Sequence, residues 1–362
     1  MTNAFYPELS PRSFRASELA KEFSRQGHKV TVISKYREYN YDGFLNSFNL
    51  ELKMWSKSLL PIIPKVPLKA LNFILNTVAR LLSLLFEYPA IEELFKVRSM
   101  LKKESGYDLM ISFAVPYPIH WGTAWARSRN HKIADCWVAD CGDPYMGDKL
   151  DTFSHPFYFK YLEKFFCRRA NYISIPVSTA LPAYYPEFHS KIVIISQGFQ
   201  FDLYREAVEI KNDQPTFAYA GRFLKGIRDP RPLLNYLLRV NIPFKFYVYT
   251  DQPELIEGFK NGLGNKLVIS EFIERDELIH KLSKMDFLIN FDNNSNINVP
   301  SKLIDYAIAS RPILNITRQF RHEDLDSFML KDYSKRMILP ALETYHISSI
   351  AAQFIRLTTC TD

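Results

Sequence analysis

Apolar positions along this chain repeat with two periods that alternate. KVTVIS (29–34), DLMISF (108–113), ADCWVAD (134–140), YISIPV (172–177) and KIVIIS (191–196) are short apolar runs, and each reads as a buried strand. A second series begins at TFAYAG (216–221). It continues through FKFYVYT (244–250), KLVIS (266–270) and DFLINF (286–291), and ends at PILNI (312–316). Helical spacing falls between the runs. Ala16, Leu19, Ala20 and Phe23 share one face of a helix over 13–26 that Gly27 stops, and further helices are expected over 229–240, 253–262, 275–284 and 301–309. Strands alternating with helices imply parallel sheets covered on both faces. The polar link KNDQP (211–215) separates the two series. The pattern therefore predicts two doubly wound α/β domains, which bind ligands at the carboxyl ends of their strands, in the cleft between them.

Residues 55–98 interrupt the alternation. They are apolar, punctuated by proline and lightly basic, and their unbroken part, 70–86, is short for a membrane span and holds two Asn and an Arg. Two readings stand side by side: helices packed on the first domain, or a face lying on a membrane with Lys57, Lys65 and Lys69 near the headgroups.

Composition narrows the function classes. A chain of 362 residues, 47% hydrophobic, fits about two domains with large cores. The net charge of +7, from 46 Lys+Arg against 39 Asp+Glu, suits anionic ligands or a membrane surface. No dense basic run or nucleic-acid motif accompanies it, so no nucleic-acid partner is expected. Cys136, Cys141, Cys167 and Cys360 form no CxxC and sit with no His at zinc-finger spacing, which predicts free thiols in a reducing compartment and no metal. The start of the chain lacks a secretory signal pattern, so a cytoplasmic protein is expected, peripheral on the inner face of the cell membrane if 55–98 meets lipid.

One stretch raises a chemical question. NVPSKLIDYAIASRPILNI (298–316) reads as a short helix feeding a strand. Pro300 suits the first turn, Ser301 can cap it, and Ser310-Arg311-Pro312 ends it. A helix N-terminus with Lys302 in its first turn is an anion site, or simply an ordinary αβ unit with a surface lysine.

Six segments in one order resemble bacterial glycosyltransferases of the large GT4-like group, and the likeness spans nearly the whole chain. They are FYPELSPRSFRASELAKEFSRQGHKVTVIS, SFAVPYPIH, WVADCGDPY, ISQGFQFD, YAGRFLKGIRDP and NVPSKLIDYAIASRPIL. The resemblance implies the GT-B fold: two facing Rossmann-like, doubly wound domains with the active site in the interdomain cleft. Residues 1–205 would form the acceptor-side domain, 206–335 the nucleotide-sugar domain, and 336–362 a C-terminal helix packing back towards the first. It also implies a retaining, metal-independent enzyme of surface polysaccharide assembly, moving a sugar from a nucleotide diphosphate to an acceptor hydroxyl. A UDP- or GDP-sugar would be the donor, and a glycan, polyprenyl-linked, the acceptor.

By the same resemblance His120 hydrogen-bonds the donor sugar, and two of Arg222, Lys225 and Arg228 grip the diphosphate. Ser301 and Lys302 meet the leaving group, and Asp305 stands where the family has the ribose-binding Glu of its E-x7-E pattern. Asp140 and Asp143, at the end of a strand, orient the acceptor, brace arginines or act as turn residues, while Arg12 and Arg15 lie near the cleft mouth. The pair is D-x-x-D, not the metal-binding DxD of the other glycosyltransferase fold.

Three departures matter. Ile297 replaces the family's first E-x7-E glutamate, leaving Asn294 or Asn296 to contact the sugar; Gln197 replaces the usual Asn; and few residues precede Pro7 where the family has its first strand. That last feature leads to the expectation that translation begins upstream of Met1. Two rival functions follow: a nucleotide-sugar epimerase of the same fold, or an inactive GT-B scaffold.

Overall fold

The computed structural model describes residues 1–8, 10–61, 63–64, 69–128, 130–148, 153–201, 212–292, 302–317, 319–339 and 342–360. The chain divides into two compact units, Met1–Gln200 with Tyr345–Asp362, and Phe201–Thr344.

The first unit runs α1 (Pro11–Arg25), β1 (Val30–Lys35), α2 (Asp42–Phe48), β2 (Leu50–Trp55), α3 (Lys69–Phe86), α4 (Glu92–Leu101), β3 (Tyr107–Phe113), α5 (Pro118–Ala126), β4 (Ala134–Asp140), α6 (Phe159–Arg169), β5 (Tyr172–Ile175) and β6 (Ile192–Ile194). Strands β3-β4-β5-β6 form one parallel sheet, and β1 pairs in parallel with β2. The first residues lie between the two. The Thr2 N–H donates to Ile33 O at 3.0 Å, and the Phe113 N–H donates to Met1 O at 2.9 Å. Ser10 caps α1, its Oγ accepting from the Ser13 N–H at 3.2 Å, and Pro11 takes the first position, where a missing N–H costs nothing.

The chain returns to this unit as α12 (Ile347–Arg356). Ile347, Ile350, Ala351 and Phe354 join Leu19, Val32, Phe113 and Val138 in one buried cluster. Gly198 lies close against this returning helix: a Cβ there would come within 2.6 Å of Ile347 Cδ1 and 3.2 Å of Ile347 Cα, so a larger residue would push the Ile347 side chain aside.

The second unit holds β7 (Thr216–Ala220), α7 (Arg231–Leu237), β8 (Lys245–Tyr249), α8 (Lys260–Leu263), β9 (Leu267–Ser270), α9 (Arg275–Leu282), β10 (Phe287–Phe291), α10 (Lys302–Ala309), β11 (Ile313–Ile316) and α11 (His322–Met329). Its five strands are all parallel, in the order β11-β10-β7-β8-β9. Phe217 stacks on its cross-strand neighbours Phe246 (4.9 Å) and Phe287 (4.7 Å), so one aromatic row spans the sheet's centre.

The ten strands expected from the pattern all form, most shortened by a residue or two at their ends. Two elements differ. The expected helix over 253–262 breaks into 3-10 turns at Pro253–Leu255 and Glu257–Phe259 and one α turn, α8; Pro253, Gly258 and Gly262 crowd this stretch and weaken helix propagation. The strand β2 has no counterpart in the expectation, because LELKMW alternates charge with apolar residues beside the Pro-rich segment that masked it. Within 55–98, α3 and α4 are helices; α3 leaves Leu71, Phe73, Ile74, Val78, Leu81 and Phe86 exposed, with Phe73 at 74% and Ile74 at 56%. Among the described residues no helix is long and apolar enough to cross a membrane.

One hydroxyl ties α10 to the sheet. Tyr306, fully buried, accepts from the Ala220 N–H at 2.9 Å and donates to Ile289 O at 3.0 Å, joining the ends of β7 and β10. Tyr306→Phe leaves a buried backbone N–H unpaired. It is expected to lower unfolding free energy by about 1–3 kcal/mol, read from the urea midpoint at unchanged slope.

Candidate functional site

Both units place polar side chains at the carboxyl ends of their strands, where parallel α/β sheets build sites. In the first unit the centre is Arg15, on the second turn of α1. Its Nε and Nη2 donate to the two oxygens of Asp140, each at 2.6 Å, and Nη1 and Nη2 donate to Ser196 O (2.8 Å) and Ile195 O (3.0 Å). The Ser174 hydroxyl donates to Asp140 Oδ1 at 2.6 Å. Both charged side chains are buried, Arg15 8% and Asp140 2% exposed. Asp140 therefore braces an arginine, and four of the five N–H donors of Arg15 go to protein partners. Arg12 and Asp143 lie at the same edge as an exposed pair, 3.6 Å apart, worth little as a tether but open to a ligand. The Tyr117 hydroxyl donates to Asp143 O and holds that loop from beneath.

His120, which the resemblance assigned to the donor sugar, is fully buried in α5. Trp137 Nε1 donates to Ser112 Oγ at 2.8 Å, which leaves the serine proton for His120 Nδ1, also at 2.8 Å. The other ring nitrogen then carries its proton towards Cys141 Sγ at 3.6 Å. Burial pushes the imidazole pKa down to about 3, so the ring is neutral and serves to fix the end of β4 against β3. Cys136, Cys141 and Cys167 are free and buried.

In the second unit the loop after β7 carries Arg222, Lys225 and Arg228. The Tyr219 hydroxyl donates to Arg222 O at 2.9 Å, and the Leu224 N–H donates to Arg228 O at 3.2 Å. Gly226, at φ +79°, makes the turn between them. Asp229 closes the loop, accepting from the Arg231 N–H at 3.1 Å at the start of α7. The Arg222 guanidinium is held by Asp251, with Nη2 to Oδ2 at 2.6 Å. Lys225 is exposed, and Arg228 Nε is buried with no hydrogen-bond partner among the described residues. Asp305, on α10, accepts from Arg275 Nε at 2.8 Å; burial raises its pKa although the guanidinium opposes the shift. Lys302 opens α10, and its backbone alone is described; Ser301 and Asn294, like Ile297, lie outside the described residues.

The structure thus groups Arg12, Arg15, Asp140 and Asp143 at one sheet edge. It groups Arg222, Lys225, Arg228, Asp305 and the start of α10 at another, on the adjacent strands β7 and β10. Sequence reasoning missed Asp251 and Arg275, the partners of Arg222 and Asp305. Each stands just past a strand, after FKFYVYT and after KLVIS, and that position was the available signal. Among the described residues no cluster of His, Cys, Asp and Glu could hold a metal ion.

Removing one partner from a buried pair leaves the other charge stranded. Arg15→Ala is therefore expected to destabilise the protein by about 3–5 kcal/mol in chemical denaturation. An unchanged midpoint would mean that Arg15 serves only as an open ligand contact.

No family model matches this chain, and no curated protein matches it. Solved structures do. A glycosyltransferase from Rickettsia africae ESF-5 aligns with a TM-score of 0.64 at 12% identity, over 99% of this chain and 97% of that one. Anabaena Alr3699/HepE in complex with UDP-glucose gives 0.54 at 10% identity, over 99% and 97%. The apo form of the lipopolysaccharide outer core galactosyltransferase WaaB gives 0.56 at 10% identity, over 99% and 96%. At such identities the shared property is the fold, and the chain has the GT-B fold of these glycosyltransferases.

Proposed function

We propose that the protein is a glycosyltransferase that moves a sugar from a nucleotide diphosphate, a UDP-sugar, to an acceptor hydroxyl. The observation that carries this reading is the basic loop Arg222–Arg228, which follows β7 at the carboxyl edge of the second sheet, where Ala220 at the end of β7 is bonded to Tyr306 of α10. The solved Anabaena relative with UDP-glucose supports the choice of uridine.

The chemistry follows from that placement. A departing diphosphate develops negative charge, and Arg222, Lys225, Arg228 and Lys302, with the N–H groups opening α10, compensate it without a metal. Asp251 preorganises the Arg222 fork for a bidentate phosphate contact. Transfer with retention then needs no side-chain base. The acceptor oxygen bonds to the anomeric carbon on the face that the diphosphate leaves, and the acceptor proton passes to the leaving phosphate oxygen. The protein supplies position and charge.

The acceptor we place on a lipid-linked glycan, with α3 lying on the membrane surface. The face of α3 supports this. It exposes seven large apolar residues, holds no acidic residue, and carries Arg80, with Lys57 exposed nearby in sequence.

Two measurements test the reading. In thermal shift against UDP-, GDP-, ADP-, TDP- and CMP-sugars, the UDP-sugars are expected to stabilise wild type, by about 2.7 kcal/mol at a hundredfold excess over Kd, and to leave Arg222→Ala/Lys225→Ala/Lys302→Ala unmoved. If no nucleotide sugar shifts a cooperatively melting wild type, the inactive-scaffold reading replaces this one. In co-sedimentation with anionic vesicles, Phe73→Asp/Ile74→Asp is expected to cut the bound fraction by about tenfold, since each substitution replaces buried apolar contact with a charge. Equal binding of both proteins removes α3 from the membrane surface.

A further inference from the structure

One buried carboxylate in the first unit serves none of the contacts described so far. Glu163, on the second turn of α6, is 1% exposed, and both its carboxylate oxygens are buried with no hydrogen-bond partner. The titratable groups that face it come from every element around it. Tyr117 opens α5, Cys141 and Tyr145 follow β4, Tyr184 and Tyr185 follow the 3-10 turn Ser178–Ala183, and Cys167 stands one turn further along α6. Burial keeps all six neutral. Lys164, the next residue on α6, is drawn to Glu187 at 3.1 Å. The Tyr185 hydroxyl and the Met146 N–H come near enough to favour the carboxylate, yet neither closes a hydrogen bond to it. Burial outweighs these groups and Lys164 and pushes the Glu163 pKa up to about 7. The pocket thus holds a neutral acid comfortably and an unpaired charge badly.

Residues 141–148, which bring Cys141, Tyr145 and Met146 to Glu163, contain no helix or strand. Single contacts hold them down. The Tyr117 hydroxyl donates to Asp143 O, and the Tyr145 hydroxyl donates to Glu87 Oε1 at 2.8 Å. The backbone at Gly147 lies so close to Ala183 that a Cβ there would come within 2.0 Å of the Ala183 oxygen. Such a segment gives way more readily than α5 or α6, whose backbones are hydrogen-bonded throughout. The same loop carries Asp143, the exposed partner of Arg12. His155, another group that can titrate near neutral pH, stacks on Tyr145 at 4.3 Å and lies 3.9 Å from Glu87.

We propose that Glu163 is a protonation switch for this loop: residues 141–148 close over the neutral acid, and ionisation of Glu163 lifts them, admits water to the carboxylate and carries Asp143 away from Arg12. The direction follows from linkage. Under the closed loop the acid keeps its proton up to about pH 7, whereas in water it loses it at the ordinary carboxylate value of 4.5. The closed form is therefore favoured most in acid, and its advantage is lost as pH rises through that interval. The proton is the only effector, so the switch operates whether or not the protein transfers a sugar. Its consequence is that the exposed Arg12–Asp143 pair at the carboxyl edge of the first sheet is set by pH.

Methyl NMR on the full chain, labelled at methionine, reads the loop directly because Met146 lies in it; Met146→Leu assigns the signal. Between pH 5 and 8 the wild-type Met146 signal is expected to move towards its position in urea. The opening constant taken from that movement should rise more than about tenfold and level off above pH 7. Glu163→Gln should hold the signal at its pH 5 position throughout. Glu163→Met, which fills the space with no polar group to satisfy, should do the same. His155→Gln should leave the wild-type movement intact. A wild-type signal that stays in place overturns the switch, as does movement that persists in either Glu163 variant or vanishes in His155→Gln. A titration that shifts the signal without moving it towards the urea position also overturns it, since the acid then ionises under a closed loop. Failure of both Glu163 variants to fold at pH 5 does so too, because a neutral side chain is what the site holds there.

Discussion

The first unit depends on one buried ion pair. Arg15 and Asp140 have been taken out of water, so every donor and acceptor they own must find a protein partner or the pair would cost more than it returns. The pair, which itself joins α1 to the end of β4, finds further partners in Ser174 on β5 and in the carbonyls of residues 195 and 196 just past β6. The carboxyl edge of the sheet is thereby tied together by charge-assisted bonds of fixed direction. The buried hydrogen-bond chain from Trp137 through Ser112 and His120 to Cys141 anchors the same edge from below. A neutral histidine suits that place, since burial disfavours the charged ring by more than nearby Asp140 favours it.

The second unit is arranged the other way round. Of its charged pairs, Arg222 with Asp251 is largely exposed and Arg275 with Asp305 mostly buried. Such partly exposed pairs hold side chains in position while contributing little to stability. Rigidity there comes from neutral contacts, the Phe217 row and the Tyr306 hydroxyl, which do not compete for an anionic ligand. The two units thus differ in where their charge lies: enclosed in the first, nearer the surface in the second.

Much of this was legible in the chain. The two strand series, the doubly wound fold class and the short helix at 302–309 came from periodicity, because a buried parallel strand has to be apolar throughout and a helix beside it has to be apolar on one face. The helix over 253–262 was misread because its spacing is helical while its proline and two glycines break it. The strand LELKMW escaped because its charged residues hide an edge position. Roles were harder to read than elements. His120 sits within a segment that resembles a donor-contacting motif, yet whether its ring points inward or outward depends on Ser112, Trp137 and Cys141, which are 8, 17 and 21 positions away in sequence.

What the sequence by itself determined is the order of elements and the residues that each sheet edge would present. Both follow from local physics: hydrophobic period, capping residues and the punctuation of proline and glycine. What only the tertiary structure decided is the state of those residues. Arg15 is enclosed and Arg12 open, Asp305 faces Arg275, and α3 is left with its apolar face uncovered. Burial and pairing are set by what arrives from distant parts of the chain, and no local pattern encodes which neighbour that will be.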